Sequence, residues 1–289
     1  MRSSSVAFFH EVTHSALHPQ RFCLWHRPLE KTAAPATALI VYVHPFAEEM
    51  NKSRRMAALQ SRALADAGCA VLQMDLLGCG DSAGDFGDAS WDEWIHDVVQ
   101  ACDVARRLHA ETWPKAVPPT LWLWGLRAGC LLASAAAQRM AQPCNFLFWQ
   151  PSVAGKLVLQ QFLRLKVAAA MGQADTRGVS GQLRNDLAAQ LTVHVAGYKL
   201  APGLSSGLER ALLDPPAQPG KVLWLEASLR EEASLLPASG AVVARWQGAG
   251  HDVGEHVVAG PAFWSTVEIE DAPDLLAATT TLLLSAGVR

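Results

Sequence analysis

Short, uniformly apolar runs recur along this chain between longer stretches of mixed polarity. Ala38 to Val43, Thr120 to Trp124, Asn145 to Gln150 and Lys221 to Ala227 carry β-branched or aromatic residues, and Cys69 to Asp75 is mainly aliphatic. Runs of that length with no polar alternation read as strands covered on both faces, the pattern of a parallel sheet. Ala241 to Gln247 (Ala-Val-Val-Ala-Arg-Trp-Gln) reads as one more strand. Helical periodicity fills the intervals. One helix runs from about Arg54 to Ala67 and closes at Gly68; a second runs from Trp91 to His109 with Ser90 as its N-cap; others cover Cys130 to Met140 and Ala272 to Leu284. Near the start, the clusters Val6 to Phe9 and Arg21 to His26 suggest two short strands or a hairpin, followed by a Pro/Ala/Thr connection, Lys31 to Thr37.

The alternation lapses once. From residue 153 to about 218 there is a helical stretch (Leu157 to Met171), a loop-like stretch (Gly172 to Gly181) and a mixed one (Asn185 to Leu213). Strand–helix alternation with one insertion predicts an α/β fold, a mostly parallel doubly wound sheet, in a single domain (1–289) with a helical cap insertion at about 153–218.

Composition supports a sizeable core and removes several function classes. Half of the 289 residues are hydrophobic, with ten Trp and nine Phe, which argues against disorder. A net charge of −3 without a basic stripe argues against nucleic acid as a partner. The six cysteines contain no C-x-x-C pair, so reduced thiols in a cytoplasmic protein are the simplest account, and neither a metal ion nor a cofactor is expected. Met1 to His18 lacks the apolar segment of a signal peptide. Leu121 to Ala137, the most apolar window, is broken by Arg127 and two glycines and falls short of a membrane span.

Two motifs carry candidate chemistry. His10-Glu11-Val12-Thr13-His14 spells H-E-x-x-H, with His18 four residues on. As a zinc site it needs a helix that puts both imidazoles on one face. Val12 and Thr13 are poor helix formers at a chain end, so a terminal strand or loop is the expectation. The second motif is Gly125-Leu126-Arg127-Ala128-Gly129, placed between an apolar strand and a Leu/Ala-rich helix. Small residues two positions either side of a strained central residue are what a nucleophile elbow, G-x-S-x-G, requires. Its central residue here is Arg127, and a guanidinium that stays protonated cannot attack.

With that frame in view, the chain resembles the α/β-hydrolases over nearly its whole length. His44-Pro-Phe-Ala-Glu-Glu-Met-Asn-Lys-Ser-Arg-Arg55, Asp75-Leu-Leu-Gly-Cys-Gly-Asp-Ser-Ala-Gly-Asp-Phe86, Leu123-Trp-Gly-Leu-Arg-Ala-Gly129, Val195-Ala-Gly-Tyr198 and Pro261-Ala-Phe-Trp264 are similar, more narrowly, to the exosortase A system-associated hydrolase 2 family. That resemblance implies a cytoplasmic bacterial protein encoded with exosortase and exopolysaccharide-synthesis genes, and leaves its substrate open. The fold implies roles in chain order. Arg127 stands at the nucleophile position; the amide of Ala128, with those of Phe46 and Ala47, would form an oxyanion hole; Glu226 is the expected acid; His251, in Gly-Ala-Gly-His-Asp after the expected strand 241–247, is the expected base. His44, Glu48 and Glu49 would line the ligand site.

These residues are compatible with two functions. In the first, His251 activates a water to hydrolyse an ester-type or related small substrate, the alternative nucleophile being Cys79 or Ser82 on the loop after Asp75. In the second, the protein is a non-catalytic pseudo-hydrolase. Arg127, at a helix N-terminus that disfavours cations, would then meet either an internal carboxylate from Glu48, Glu49 or Glu226, or an anionic small molecule. A protein partner for the 153–218 insertion is a further option.

Overall fold

The computed structural model describes residues 4–28, 35–169, 177–230 and 232–287. An antiparallel hairpin opens the chain: β1 (Ser4–Glu11) against β2 (Gln20–Arg27). Next come β3 (Leu39–Val43), α1 (Glu48–Asp66), β4 (Ala70–Met74), α2 (Trp91–Thr112), β5 (Leu121–Leu126), α3 (Ala128–Ala137) and β6 (Asn145–Trp149). An insertion then carries α4 (Gly155–Ala169), α5 (Arg177–Ala188), β7 (Val193–Val195), β8 (Tyr198–Leu200) and α6 (Pro202–Arg210). The main sheet resumes with β9 (Lys221–Ser228), α7 (Pro237–Gly248), β10 (Asp252–Ala259) and α8 (Pro273–Gly287).

Eight strands form one sheet in the order β1-β2-β4-β3-β5-β6-β9-β10, with β2 antiparallel to both its neighbours and every pairing from β4 to β10 parallel. β3 and β5 are buried at every position, which is why their sequences show no alternation. Side chains of one sheet face join a core with α2, α3 and the insertion (Leu123, Phe146, Trp94, Phe162); those of the other pack with α1 and α8 (Trp124, Trp149, Leu64, Leu275). This is the α/β-hydrolase fold. All parallel strands point their C-terminal ends at one edge, where ligands of such sheets bind.

α2 begins as its sequence predicts: the Ser90 hydroxyl accepts from the Glu93 amide at 3.2 Å, and the Glu93 carboxylate accepts from the Ser90 amide at 3.1 Å. α1 starts six residues before the expected Arg54, and this brings Glu48 and Glu49 into its first turn, where a helix favours acidic side chains. The expected loops Lys31 to Thr37 and Gly172 to Gly181 lie partly outside the described residues, and residues 177–181 belong to α5.

One expected element is wrong. Residues 241–247 are not a strand but the body of α7, started by Pro237 and buried along one helical face by Val242, Val243 and Trp246. The last strand is Asp252–Ala259 instead, a half-exposed edge strand that contains Gly254. A β-branched pair sitting on a single helix face had imitated a buried strand.

H-E-x-x-H has a structural explanation. His10 lies within β1 and His14 in the turn after it, so no helix brings the two rings together. His14 Nε2 lies 2.9 Å from the buried Asp97 carboxylate, which also accepts from Arg21 Nε at 2.8 Å and from the Leu77 amide at 2.8 Å. This charge pair ties the hairpin to α2 and to the loop after β4, with each carboxylate oxygen satisfied, as a buried ion requires.

Candidate functional site

The turn from β5 to α3 has the backbone of an elbow. Arg127 sits at φ 55°, ψ −118°, a strained conformation for any residue with a side chain. Its surroundings enforce it. A Cβ on Gly125 would lie 2.7 Å from the Cys130 backbone, and one on Gly129 would lie 2.1 Å from the Val43 carbonyl oxygen. Both glycines are there because α3 packs directly against β5 and β3. The Arg127 amide donates to the Trp149 carbonyl at 3.0 Å, and the Arg127 carbonyl accepts from the Ser152 amide at 3.2 Å, so the strained residue is bound on both sides.

The guanidinium is held from three elements. Its Nε donates to Glu49 Oε1 at 3.3 Å, from the first turn of α1; its Nη2 donates to Gln161 Oε1 at 3.0 Å, from α4. Its carbon lies 5.6 Å from the centroid of Trp264, within cation–π range. Arg127 and Glu49 are 15% and 16% exposed, so the pair is largely desolvated. Burial raises the Glu49 carboxyl and Arg127 opposes it; burial also raises Glu48. One oxygen of each carboxylate, Oε2, is buried without a hydrogen-bond partner among the described residues.

On the β3 side, Ala47 also has a positive φ, 50°, as N-cap of α1. Ala128, the first residue of α3, owns one of the amides that a helix leaves without an internal acceptor. Phe46 is buried in an edge-to-face cluster with Phe86, Trp94 and Phe162, so aromatic rings fill the space beside this turn. His44 does not face a ligand. It is buried with its protonation disfavoured; Nδ1 lies 2.9 Å from the Pro45 carbonyl, and Nε2 accepts from the Leu76 amide at 3.3 Å. Both nitrogens serve the backbone.

The substitute nucleophiles are likewise engaged. The Ser82 hydroxyl donates to the Asp75 carbonyl and accepts from the Phe22 amide at 2.8 Å. Burial drives the Cys79 thiol far above its ordinary pKa, first by desolvation and then by nearby Asp75, which leaves it protonated.

Glu226 lies near the C-terminal end of β9. Its buried carboxylate accepts from Trp224 Nε1 at 3.0 Å and from the Leu236 amide at 3.2 Å, fastening the loop that leaves the strand. It also borders a cavity of about 320 Å³ with Gln150, Ser228 and Arg230.

His251 is the decisive correction. It precedes β10 instead of following a strand, so it stands at the N-terminal edge of the sheet. Its Nδ1 accepts from the Gly220 amide at 3.2 Å, just before β9, and its Nε2 is 3.3 Å from the Pro216 carbonyl. From Gly220 to Glu226 is six residues of strand, roughly 20 Å at about 3.3 Å each. His251 can reach neither Glu226 nor Arg127; it clasps the starts of β9 and β10. At the opposite, C-terminal edge, β10 runs into Gly260-Pro-Ala-Phe-Trp264, and Trp264 is the side chain brought to Arg127.

With this geometry, residues 34–202 match the family described as serine aminopeptidase, S33. The chain belongs to that family. No curated protein matches it. Among solved structures it is similar to Est1E from Butyrivibrio proteoclasticus with ferulic acid bound (16% identity, TM-score 0.62, covering 93% of this chain and 96% of that one). A highly thermostable carboxyl esterase from Bacillus coagulans, in complex with glycerol, aligns over 100% of both chains at 14% identity and a TM-score of 0.61. A lipase in open form aligns over 99% of this chain and 100% of that one at 17% identity and a TM-score of 0.61. At such identities the likeness concerns the fold.

Within the serine aminopeptidase family frame, then, this member holds an arginine at the elbow and an indole where the loop after the last strand meets it. Arg127 and Glu49 were legible as site residues in the sequence; Gln161 was not, and Trp264 stood out only within a family-like segment, with no role at the site. The signal for Trp264 was available: Pro261-Ala-Phe-Trp264 comes directly after a Gly-ended apolar run, Val257-Val-Ala-Gly260, the usual mark of a strand end. Among the described residues no helix is long and apolar enough to cross a membrane.

Proposed function

We propose that this protein is a non-catalytic member of its hydrolase family, one α/β-hydrolase domain (1–289) whose insertion at 153–218 caps the elbow. It works by binding a small molecule or a partner at the C-terminal edge of the sheet. The observation that carries this reading is the clasp of Arg127 by Glu49, Gln161 and Trp264. Acyl transfer by this fold needs a nucleophile at the elbow and a base beside it. Those two places are filled by a cation and an indole, which satisfy each other and cannot exchange a proton. The resemblance to the exosortase A system-associated hydrolase 2 family supports a cytoplasmic location and a place in an exosortase and exopolysaccharide-synthesis system.

The experiment is direct. The purified protein is treated with a fluorophosphonate probe and assayed with p-nitrophenyl butyrate. The expected outcome is no covalent label and no turnover above buffer. Label on a serine, or turnover that a point substitution abolishes, overturns the proposal.

An anionic ligand at Arg127 is a second reading. It is favoured by the remaining exposure of the guanidinium and by the raised Glu49 carboxyl, whose protonation would release Arg127 to an incoming carboxylate or phosphate. Calorimetric titration with galacturonate at acid and neutral pH tests it: binding that strengthens toward acid and disappears in Arg127→Ala supports it, and an unchanged isotherm in that variant removes it.

A further inference from the structure

A cleft of about 460 Å³ opens between α4, α5 and α6, within the insertion. It is distinct from the Arg127 site. Lys156, Leu159 and Leu163 line it from α4 at i, i+3 and i+7, one stripe of that helix, while Gln161, which reaches Arg127, stands off the stripe. The floor is apolar, formed by Leu159 and Leu163 with Leu187 of α5. Buried Ser205 of α6 donates its hydroxyl to the Pro202 carbonyl and so offers the cleft no free donor.

The rim is cationic. Lys156 and Arg184 are exposed at its edge, and among the described residues neither makes a hydrogen bond or ion pair. Glu209 is the acidic residue of the lining, so the cleft keeps a net positive charge. α4 has no acidic residue at all. The charge is also segregated along the chain: residues 153–218 hold seven basic and four acidic side chains, in a protein with 24 basic and 27 acidic overall. Cations left without internal partners beside a leucine floor, in a cavity within the roughly 300–1,000 Å³ of ordinary ligand sites, call for a ligand with two ends.

We propose that this cleft binds an anionic amphiphile, its apolar chain on Leu159, Leu163 and Leu187 and its carboxylate or phosphate head between Lys156 and Arg184. Arginine and lysine both bind such heads through charge-assisted hydrogen bonds. Binding here is independent of the occupant of the elbow.

The full-length protein is titrated calorimetrically with dodecanoate, dodecyl phosphate and dodecanol, each below its aggregation threshold. Saturable binding of one molecule of an anionic probe per chain is expected, with dodecanol weaker by at least about tenfold. The double variant Lys156→Gln/Arg184→Gln, which alters only exposed side chains, should bind the anion about tenfold more weakly and dodecanol as before. Arg127→Ala should bind both as the unaltered protein does. Preference for dodecanoate over dodecyl phosphate, or the reverse, identifies the head. Equal binding of dodecanol and the anions, an unchanged isotherm in the double variant, or no binding of either anion overturns the proposal.

Discussion

The Arg127 guanidinium lies over the indole of Trp264, 5.6 Å from the ring centroid, and this contact joins the turn that ends β5 to the loop that leaves β10. In a hydrolase of this fold those two segments would react together. Here they hold each other still.

Removing the ring should therefore loosen the elbow. Trp264→Ala deletes a cation–π contact of about 0.5–2 kcal/mol together with a buried aromatic side chain, and should lower stability by about 3–5 kcal/mol in denaturant unfolding. Trp264→Phe keeps a ring face for Arg127 and should lose about 1–2 kcal/mol. Equal midpoints for the two variants would mean that the stacking contributes nothing.

Restoring the missing hydroxyl should not restore chemistry. Arg127→Ser places a serine on an elbow with no histidine beside it; the Glu49 carboxylate that pairs with Arg127 is a weak base for a serine hydroxyl, so ester turnover with p-nitrophenyl butyrate should remain at background. Activity in this single variant would show that Glu49 or another group can take the serine proton.

Gly129→Ala should prevent folding, since the added Cβ would sit 2.1 Å from a carbonyl oxygen of the central sheet. No rotamer relieves a backbone clash, and the cost belongs with the most damaging substitutions, above about 4 kcal/mol. Soluble yield and circular dichroism measure it; a well-folded variant would show that α3 can move off β3.

Stability should fall in acid through buried histidine. Burial lowers His26 from 6.5 to about 4, with Arg62 adding to the shift. The unfolded chain thus takes up a proton that the folded one refuses. The stability present above pH 6.5 is lost as pH falls toward 4, by at most about 3 kcal/mol for this group. Glu48 works in the opposite sense. Its raised carboxyl binds protons more readily in the folded state, so its contribution is full in acid and is lost as pH rises through the raised value. Thermal melts from about pH 4 to 8 should show His26→Phe flattening the acid side and Glu48→Gln gaining stability at the alkaline end. A His26→Phe profile parallel to that of the unaltered protein would assign the acid loss to other groups.

Most of the sheet was legible because its central strands are buried on both faces and so are written as unbroken apolar runs. The edges were not. β10 is half-exposed and contains Gly254, while α7 places Val242, Val243 and Trp246 on one face within two turns; over seven residues, periodicity cannot separate such a helix from a strand. Exchanging those two elements reversed the direction of the chain at His251, and a histidine expected at the C-terminal edge belongs to the opposite one. Arg127 and its glycines were readable because their constraint is local. Its partners Gln161 and Trp264 lie 34 and 137 residues away in the chain, and only the assembled sheet brings them together.

His251 then becomes a question of stability. His251→Ala removes the acceptor of the Gly220 amide and should cost about 1–3 kcal/mol while leaving ligand binding at either site unchanged. A loss of binding without a loss of stability would contradict the strand-clasp role.

The turn at residue 127 keeps its shape because neighbouring backbones leave it no alternative, whatever side chain it displays. Stereochemistry and reactivity are therefore separable inheritances in this architecture: a lineage can retire its reagent and keep the pedestal. A protein built in that way retains a rigid display position between β5 and α3, ready for whichever side chain its next task rewards.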